Sequence, residues 1–579
     1  MTRRAVILPV VLFVLLLVGL LGGMFAFRVN ADLASMRAVA YRLQTRLAAE
    51  AGIERAKLLL QADRWDMDRW YHNPEELHRI IVWAYDGDST MWATNDERLD
   101  EGAMAYRFSL IADDPRDDED FVRFGLTDES SKLNLNRANA RQLLVLVRAA
   151  VGENQQVDPQ EIVAAILDWR DRNRIPLGKD GDTEGEYYRM LDRPYHVKNA
   201  DFDTVEELLL VKGITNEILF GEDFDRNGLL TPNEDDGDKS FPMDNQDGQL
   251  NRGLFPYLTV TSFENDVDSE NRRRIYLPGE ENSVREQLAD VFEDEPEIIE
   301  YIVTVSRGQG AGGAAGGSSG TGQGTGSNTG TGTPPGGAGA GSTGSGDASD
   351  PDKSGTRQQR QPEDDEEAPD NTGEELGEGE SVDPQGEEAG EPAAQDPETG
   401  GARNASGPMR TPVSLLLPRS VGGVLQEGPV GPEHLARLLD RTTFLPPGQP
   451  PVSGLINVNT APRLVLRCIE GLTDDQVERI IETRDTIAPA DKVTFAWLAT
   501  EEVLDLVTLE RIAPFITARG QQFTIESLGY ADHIGMVTRL QVVVDMLGPI
   551  AQIIYYRDLS YLGSRYPIRE EDLETLHGR

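Results

Sequence analysis

Cysteine is nearly absent from this chain. Its 579 residues hold one, Cys468, which excludes an intrachain disulfide framework, a thiolate zinc cluster and a CxxC redox pair. Cys468 reads as a buried structural thiol. Histidine is scarce too, with six residues and no HExxH cluster, and no P-loop, dinucleotide fingerprint or nucleophile elbow occurs. Asp168, Asp171, Glu184 and Glu186 supply carboxylates, but their spacing assembles no convergent catalytic set, so the chain reads as non-enzymatic. Positive charge is also in deficit. Lys and Arg total 55 against 100 Asp and Glu, a formal net charge of −45, the wrong sign for a protein that holds nucleic acid through its overall field.

Two further absences organise the N-terminal region. No charged residue falls between Ala5 and Phe27, and at about 1.5 Å per residue this run makes a helix of about 34 Å, enough to cross a bilayer. Arg3 and Arg4 precede it, so the positive-inside bias puts the N-terminus in the cytoplasm and the body on the far side of the inner membrane. The run is too long, and Gly22 to Ala26 too poor a cleavage site, for a removed secretory signal. No proline interrupts from Val10 to Gln61. Leu33, Met36, Val39, Leu43, Leu47 and Ala51 continue at three-to-four spacing, which predicts one helix of about 50 residues, lipid-compatible first and amphipathic after.

Beyond the helix, the runs IIVWAY and AYRFSLIA, between Ile80 and Ala112, and Phe121 to Phe124 read as strands. Helices are predicted at Ala138–Val151, Pro159–Trp169 and Thr204–Lys212, the last ending at Gly213, and Tyr257–Ser262 alternates as a returning strand. Residues from Ser306 to about Arg410 cannot pack a core. Gly, Ser and Thr dominate first, and between Asp347 and Glu398 there are 19 acidic residues against three basic. Helical patterning resumes from Leu455 to Ile516, and Phe523–Ser527, Val537–Val544 and Ile553–Tyr556 read as strands.

The fold class is therefore α+β: a long N-terminal helix on an antiparallel sheet shared by early and late strands, with helical modules inserted between them. The expected divisions are 1–28 membrane anchor, 29–65 amphipathic continuation, 66–135 early strands, 136–255 inserted helical domain, 256–306 returning strand and connector, 307–411 linker, 412–520 second helical module and 521–579 late strands. The two modules share a motif. Leu133-Asn-Leu-Asn-Arg-Ala138 recurs as Ile456-Asn-Val-Asn-Thr-Ala461, a constant offset of 323, which marks internal repetition. The second Asn of each copy is expected to N-cap the following helix.

Residues 466–484, LRCIEGLTDDQVERIIETR, look like one helix-hairpin-helix unit, which raises an alternative function as a membrane-anchored nucleic-acid receptor. Thr473 stands where a second hairpin glycine is expected, and Asp474 and Asp475 face the position a phosphate would take. Charge repulsion opposes that contact, so no nucleic acid is expected and Leu464, Leu466, Ile469 and Ile480 read as core.

A calcium loop is legible in the spacing. Asp223, Asp225, Asn227, the Leu229 carbonyl, Thr231 and Glu234 occupy the first, third, fifth, seventh, ninth and twelfth places, with Gly228 at the sixth, where the chain turns sharply, and Leu230 at the apolar eighth. Pro232 excludes an ordinary EF-hand exit helix, leaving an isolated loop.

The ordered series VVLFVLLLVG, AAEAGIERA, KLNLNRAN, AAILDWRDRN with DTEGEYY, PYHVKN, FDTVEELLLVKGI and GLINVNTA resembles the minor pseudopilin K family of type II secretion systems (general secretion pathway protein K). The resemblance covers most of the chain outside the linker. It implies a pilin-type fold with a large inserted helical domain and a place at the tip of a periplasmic pseudopilus. The implied partners are other minor pseudopilins and the secretion system's inner-membrane machinery, and the implied action is filament assembly and protein export. It also implies Ca²⁺ in the inserted domain, including a second ion among Asp168, Asp171, Asn173, Glu184 and Glu186. A prepilin peptidase would cut between Ala5 and Val6, where the family usually presents Gly rather than Ala5.

Overall fold

The computed structural model describes residues 7–85, 91, 92, 104–113, 122–152, 157–179, 183, 185–228, 230–237, 239–242, 244, 246–307, 409–421, 424–548 and 550–565. The helix α1 (Ile7–Asp63) runs unbroken for 57 residues, or about 85 Å. It is the one helix among the described residues long and apolar enough to cross a membrane. Leu16, Phe25, Met36 and Val39 are exposed along it, whereas Ala49, Ile53, Ala56 and Leu60 are buried. The change follows the sequence, from apolar all round to a single apolar stripe.

That stripe lies on an antiparallel sheet. The early strands are β1 (Ile80–Tyr85), β2 (Met91–Trp92), β3 (Met104–Asp113), β4 (Val122–Arg123) and β5 (Thr127–Asp128). After the short β6 (Leu133–Asn134), the helices α2 (Ala140–Val151) and α3 (Pro159–Arg170) open the inserted domain, and β7 (Leu258–Thr259) closes it. The helices α4 (Glu281–Ala289), α5 (Pro296–Arg307) and α6 (Leu435–Arg441) follow, then β8 (Ile456–Asn457), α7 (Asp474–Arg484) and β9 (Ile516–Thr517). The late strands are β10 (Gln522–Ala531), β11 (Val537–Asp545) and β12 (Gln552–Asp558). The sheet order is β12-β11-β10-β3-β1-β2, with β4 on β3 and β5 on β10. Early and late strands therefore share one sheet, as the strand pattern predicts.

Glycine sets how close α1 comes. A Cβ on Gly529, in β10, would overlap the Thr45 carbonyl and the Ala49 amide of α1, so only glycine permits this approach. Phe523, Ile525, Leu540, Val542 and Val544 pack with Ala49, Ile53 and Leu60 on this face. By strand alternation, Glu526 of β10 and Arg539 and Gln541 of β11 project from the other face.

The repeated motif builds the same device twice. Leu133↔Leu258 and Asn134↔Thr259 pair in parallel, as do Ile456↔Ile516 and Asn457↔Thr517. The first Asn of each copy accepts the backbone N–H two residues on, Asn136 at 2.9 Å and Asn459 at 3.0 Å. Arg170 donates to the carbonyls of Leu135 and Ala138, and Arg484 to those of Val458 and Ala461. One hydrophobic cluster joins both copies, from Leu133 and Leu143 through Leu258 to Ile456, Leu466, Ile480 and Ile516.

Several expectations are corrected. The second Asn does not cap a helix: Asn139 caps α2, because the Asn136 side chain is spent on the backbone N–H and C=O of Phe202. Thr204–Lys212 is not an α-helix; Val205–Leu210 forms 3₁₀ turns and an α-helix follows only at Asn216–Phe220. Glu207 is held there by Trp169 and Lys198, and the Tyr195 hydroxyl donates to Leu210 O, so tertiary bonds compete with the helical ladder. Tyr257–Ser262 does not return to the main sheet, since only Leu258–Thr259 is extended and it pairs with β6. Residues 256–306 are more than a connector: α4 and α5 bury Leu288, Ile299, Ile302 and Val303 against Met409, Leu415 and Leu438. The expected linker lies outside the described residues apart from its ends, Arg307 and residues 409–411.

Candidate metal loop

The loop from Asp223 to Glu234 follows the helix Asn216–Phe220, which stops at Gly221 in the left-handed region, φ 65°. A Cβ on Gly221 would overlap the Asn251 carbonyl. The loop is thus anchored against the chain that leaves the domain. Arg226 and Gly228 take left-handed φ values of 54° and 69°, and these two reversals turn successive peptide N–H groups inward.

Those N–H groups fix the carboxylates. Asn227 N–H donates to Asp223 Oδ1 at 2.8 Å and to Asp225 Oδ1 at 3.0 Å, and Gly228 N–H donates to Asp223 Oδ2 at 3.1 Å. Glu234 folds back from the far end, accepting from Phe224 N–H at 3.2 Å and from the Thr231 N–H and hydroxyl at 3.0 and 2.6 Å. One carboxylate oxygen from each of Asp223, Asp225 and Glu234 lies within 4.8 Å of the others, the one such group of three among the described residues.

The electrostatics of this group fit a cation. Burial pushes the Asp223 carboxyl up to about 6, opposed by Arg252 and reinforced by Glu234 and Asp225. Burial also raises Asp225 and Glu234 above the ordinary carboxylate range. Arg252 Nε stands 3.9 Å from Asp223, the edge of ion-pair range. Three converging carboxylates in a partly desolvated loop disfavour one another's ionised form, and a hard divalent cation with oxygen ligands relieves that cost. Asn227, Asp223 and Glu234 are buried; Leu229, the expected carbonyl ligand, lies outside the described residues.

Among the described residues of the second expected set, Asp168, Asp171 and Glu186 form no group of three. Asp168 is buried and accepts Leu177 N–H and the Thr183 hydroxyl. Asp171 accepts Asn173 N–H and side-chain amide, at 3.0 and 2.6 Å, and Glu186 is exposed. No group of three metal-ligating side chains forms there among the described residues. Glu184, Ala5 and Val6 lie outside them.

The surroundings of the first loop escape sequence reasoning. Arg252, Glu526, Arg539 and Arg565 approach it from up to 338 residues away. The hairpin of 466–484 is a packing element: Leu466, Ile469 and Ile480 are buried, and Leu464 is partly so. Thr473 caps α7, and Asp474, in its first turn, pairs with Arg467 at 3.0 Å. Cys468 is buried with its thiol pushed up to about 12; it lies just past the turn Arg463–Leu466 rather than within a helix.

Against known proteins, no curated sequence matches the chain. Among solved structures the chain is similar to one in the crystal structure of the GspK-GspI-GspJ complex from the enterotoxigenic Escherichia coli type 2 secretion system, at 10% identity, covering 92% of this chain and 99% of that one. The TM-score is 0.32, too low to carry an argument. Two family models, both described as type II secretion system (T2SS), protein K, match residues 125–220 and 456–524. The first begins at the entry to the inserted domain and the second at the repeated Ile456-Asn457, so each copy of the duplicated strand-turn-helix falls within one of them. Over these two stretches the chain is similar to the type II secretion system protein K family.

Proposed function

We propose that the chain works as a tip subunit of a pseudopilus, entering the filament by assembly with other minor pseudopilins and carrying out no chemistry of its own. The observation that carries this reading is α1, one continuous helix whose first half is exposed among the described residues and whose second half is fixed to the sheet. In a bilayer the exposed half is solvated by lipid; in a filament, neighbouring apolar helices replace the lipid. The family match over residues 125–220 and 456–524 supports the same role. The Arg3-Arg4 flank supports a cytoplasmic N-terminus and a periplasmic body. Contact with the inner-membrane machinery belongs to this reading.

Asp223, Asp225 and Glu234, with Asn227, Thr231 and the Leu229 carbonyl, are the proposed Ca²⁺ ligands. The bound ion would neutralise the loop outside the cytoplasm and so order the inserted domain before assembly.

Co-purification tests the assembly reading. The tagged full chain, extracted in mild detergent with calcium from cells expressing its secretion system, is expected to bring down other minor pseudopilins. Recovery of the chain alone, with and without calcium, would contradict it.

A further inference from the structure

The acidic loop turns its carboxylates inward and its peptide carbonyls outward, toward the sheet. Three of those carbonyls meet two arginines. Arg539 donates to Asp225 O at 3.3 Å and to Arg226 O at 2.7 Å, and Arg565 donates through Nε to Asn227 O at 3.1 Å. Both arginine side chains are almost fully buried, and Glu526 lies between them, with Oε1 2.6 Å from Arg539 Nε and Oε2 3.4 Å from Arg565. Gln541 donates to the same Oε2 at 3.3 Å, and Arg565 also pairs with Asp113.

The covalent order matters. The Arg226 carbonyl belongs to the peptide whose N–H is that of Asn227, the donor to Asp223 and Asp225. The Asn227 carbonyl belongs to the peptide whose N–H is that of Gly228, the second donor to Asp223. Each guanidinium therefore pulls on one end of a peptide dipole whose other end holds a carboxylate. Hydrogen bonds in series polarise one another, and outer-shell groups that orient a ligand tune metal affinity.

We infer that Arg539 and Arg565, paired across Glu526, are positioning residues for the Asp223–Glu234 cation site: through the 226–227 and 227–228 peptides they hold the Asp223 and Asp225 carboxylates in register, and they couple cation binding to docking of the inserted domain on the sheet. The inference rests on the calcium reading above. Coupling is reciprocal. A cation that fixes the loop strengthens its grip on the sheet, and loosening the arginines weakens the cation. Arg565 is the better probe, because its loss leaves the Arg539–Glu526 pair in place.

Calorimetric titration of Ca²⁺ into the detergent-solubilised full chain tests this, with hydrogen exchange read at the Asn227 and Gly228 amides. Arg565→Met is expected to bind Ca²⁺ about 10–100-fold more weakly than the unmutated chain, with faster exchange at Gly228, and Arg565→Lys is expected to recover part of the loss. Unchanged affinity in Arg565→Met, with the unmutated chain binding, would overturn the inference and leave the calcium reading standing. Absence of binding in the unmutated chain would overturn both. If Arg565→Met fails to fold, Arg539→Lys decides: it keeps a cation beside Glu526 but cannot span both carbonyls, so affinity equal to the unmutated chain would overturn the inference.

Discussion

Asn457 donates its side-chain amide to Asp128 Oδ2 at 2.6 Å across 329 residues of sequence. Thr460 adds a hydroxyl at 3.0 Å and Ser130 its N–H at 2.8 Å. Asp128 ends β5 of the sheet, and Asn457 opens the second copy of the duplicated motif, so this buried carboxyl joins the second module to the entrance of the first. In the first copy the corresponding Asn134 donates to Ser262 instead.

A pH dependence follows. Burial pushes the Asp128 carboxyl up to about 6 despite its three donors. The folded state therefore holds a proton that the unfolded chain releases near 3.8, and stability falls as pH rises from about 4 to about 6. The contribution is about 3 kcal/mol over that window. Denaturant unfolding of Asp128→Asn is expected to lose this component of the slope; a slope identical to the unmutated chain would contradict the assignment.

Gly529 tests the helix–sheet contact. Gly529→Ala drives a methyl group into the α1 backbone at Thr45 and Ala49, and overpacking of this kind costs about 1–3 kcal/mol. The expected result is a lower denaturation midpoint with an unchanged denaturant slope. An unaffected midpoint would mean that α1 stands farther from β10 than described.

Calcium should stabilise the folded chain. At about one hundred times its dissociation constant a ligand specific to the folded state adds about 2.7 kcal/mol. A rise in melting temperature with calcium is expected in the unmutated chain and not in Glu234→Gln or Asp223→Asn. An equal rise in both variants would place the ion elsewhere.

How much of this was legible beforehand divides along sequence distance. The Asp223-to-Glu234 spacing is local, so its ligand alternation could be read and the structure brings three of the six expected ligands together as carboxylates. The repetition was legible because Asn134 and Asn457 each close a turn within their own motif. The partners of those motifs, Thr259 and Thr517, carry no such mark, since neither stands at a fixed distance from its Asn. The α4 helix was missed for want of a clean start signal, as Glu280 rather than Ser, Thr, Asp or Asn caps it, whereas α5 was missed although Pro296 and Glu297 mark its first turn. Arg539 and Arg565 look like ordinary charged residues until folding carries them to the loop.

Removing Gly308–Glu398 should leave the folded body intact. Ten residues would remain between Glu398 and Met409, able to span up to about 33 Å, and closure entropy changes only logarithmically with length. The sequences on either side share the core of Ile302, Val303, Met409 and Leu415. Cooperative unfolding with little change in midpoint is expected; a lost transition would show that the segment contributes packing.

Placement of α1 among other pseudopilin helices is the central claim, and the chain's single cysteine makes it directly measurable. Cys468 is 3% exposed, so a cysteine introduced at Met36 or Val39, which are 69% and 67% exposed, becomes the one accessible thiol. With cysteines at matching helix positions in the other minor pseudopilins, oxidation in cells expressing the secretion system is expected to give disulfide-linked heterodimers from Met36→Cys and Val39→Cys and none from the buried Leu60→Cys. Absence of any heterodimer from both exposed positions, with the proteins present at normal levels, would contradict the account.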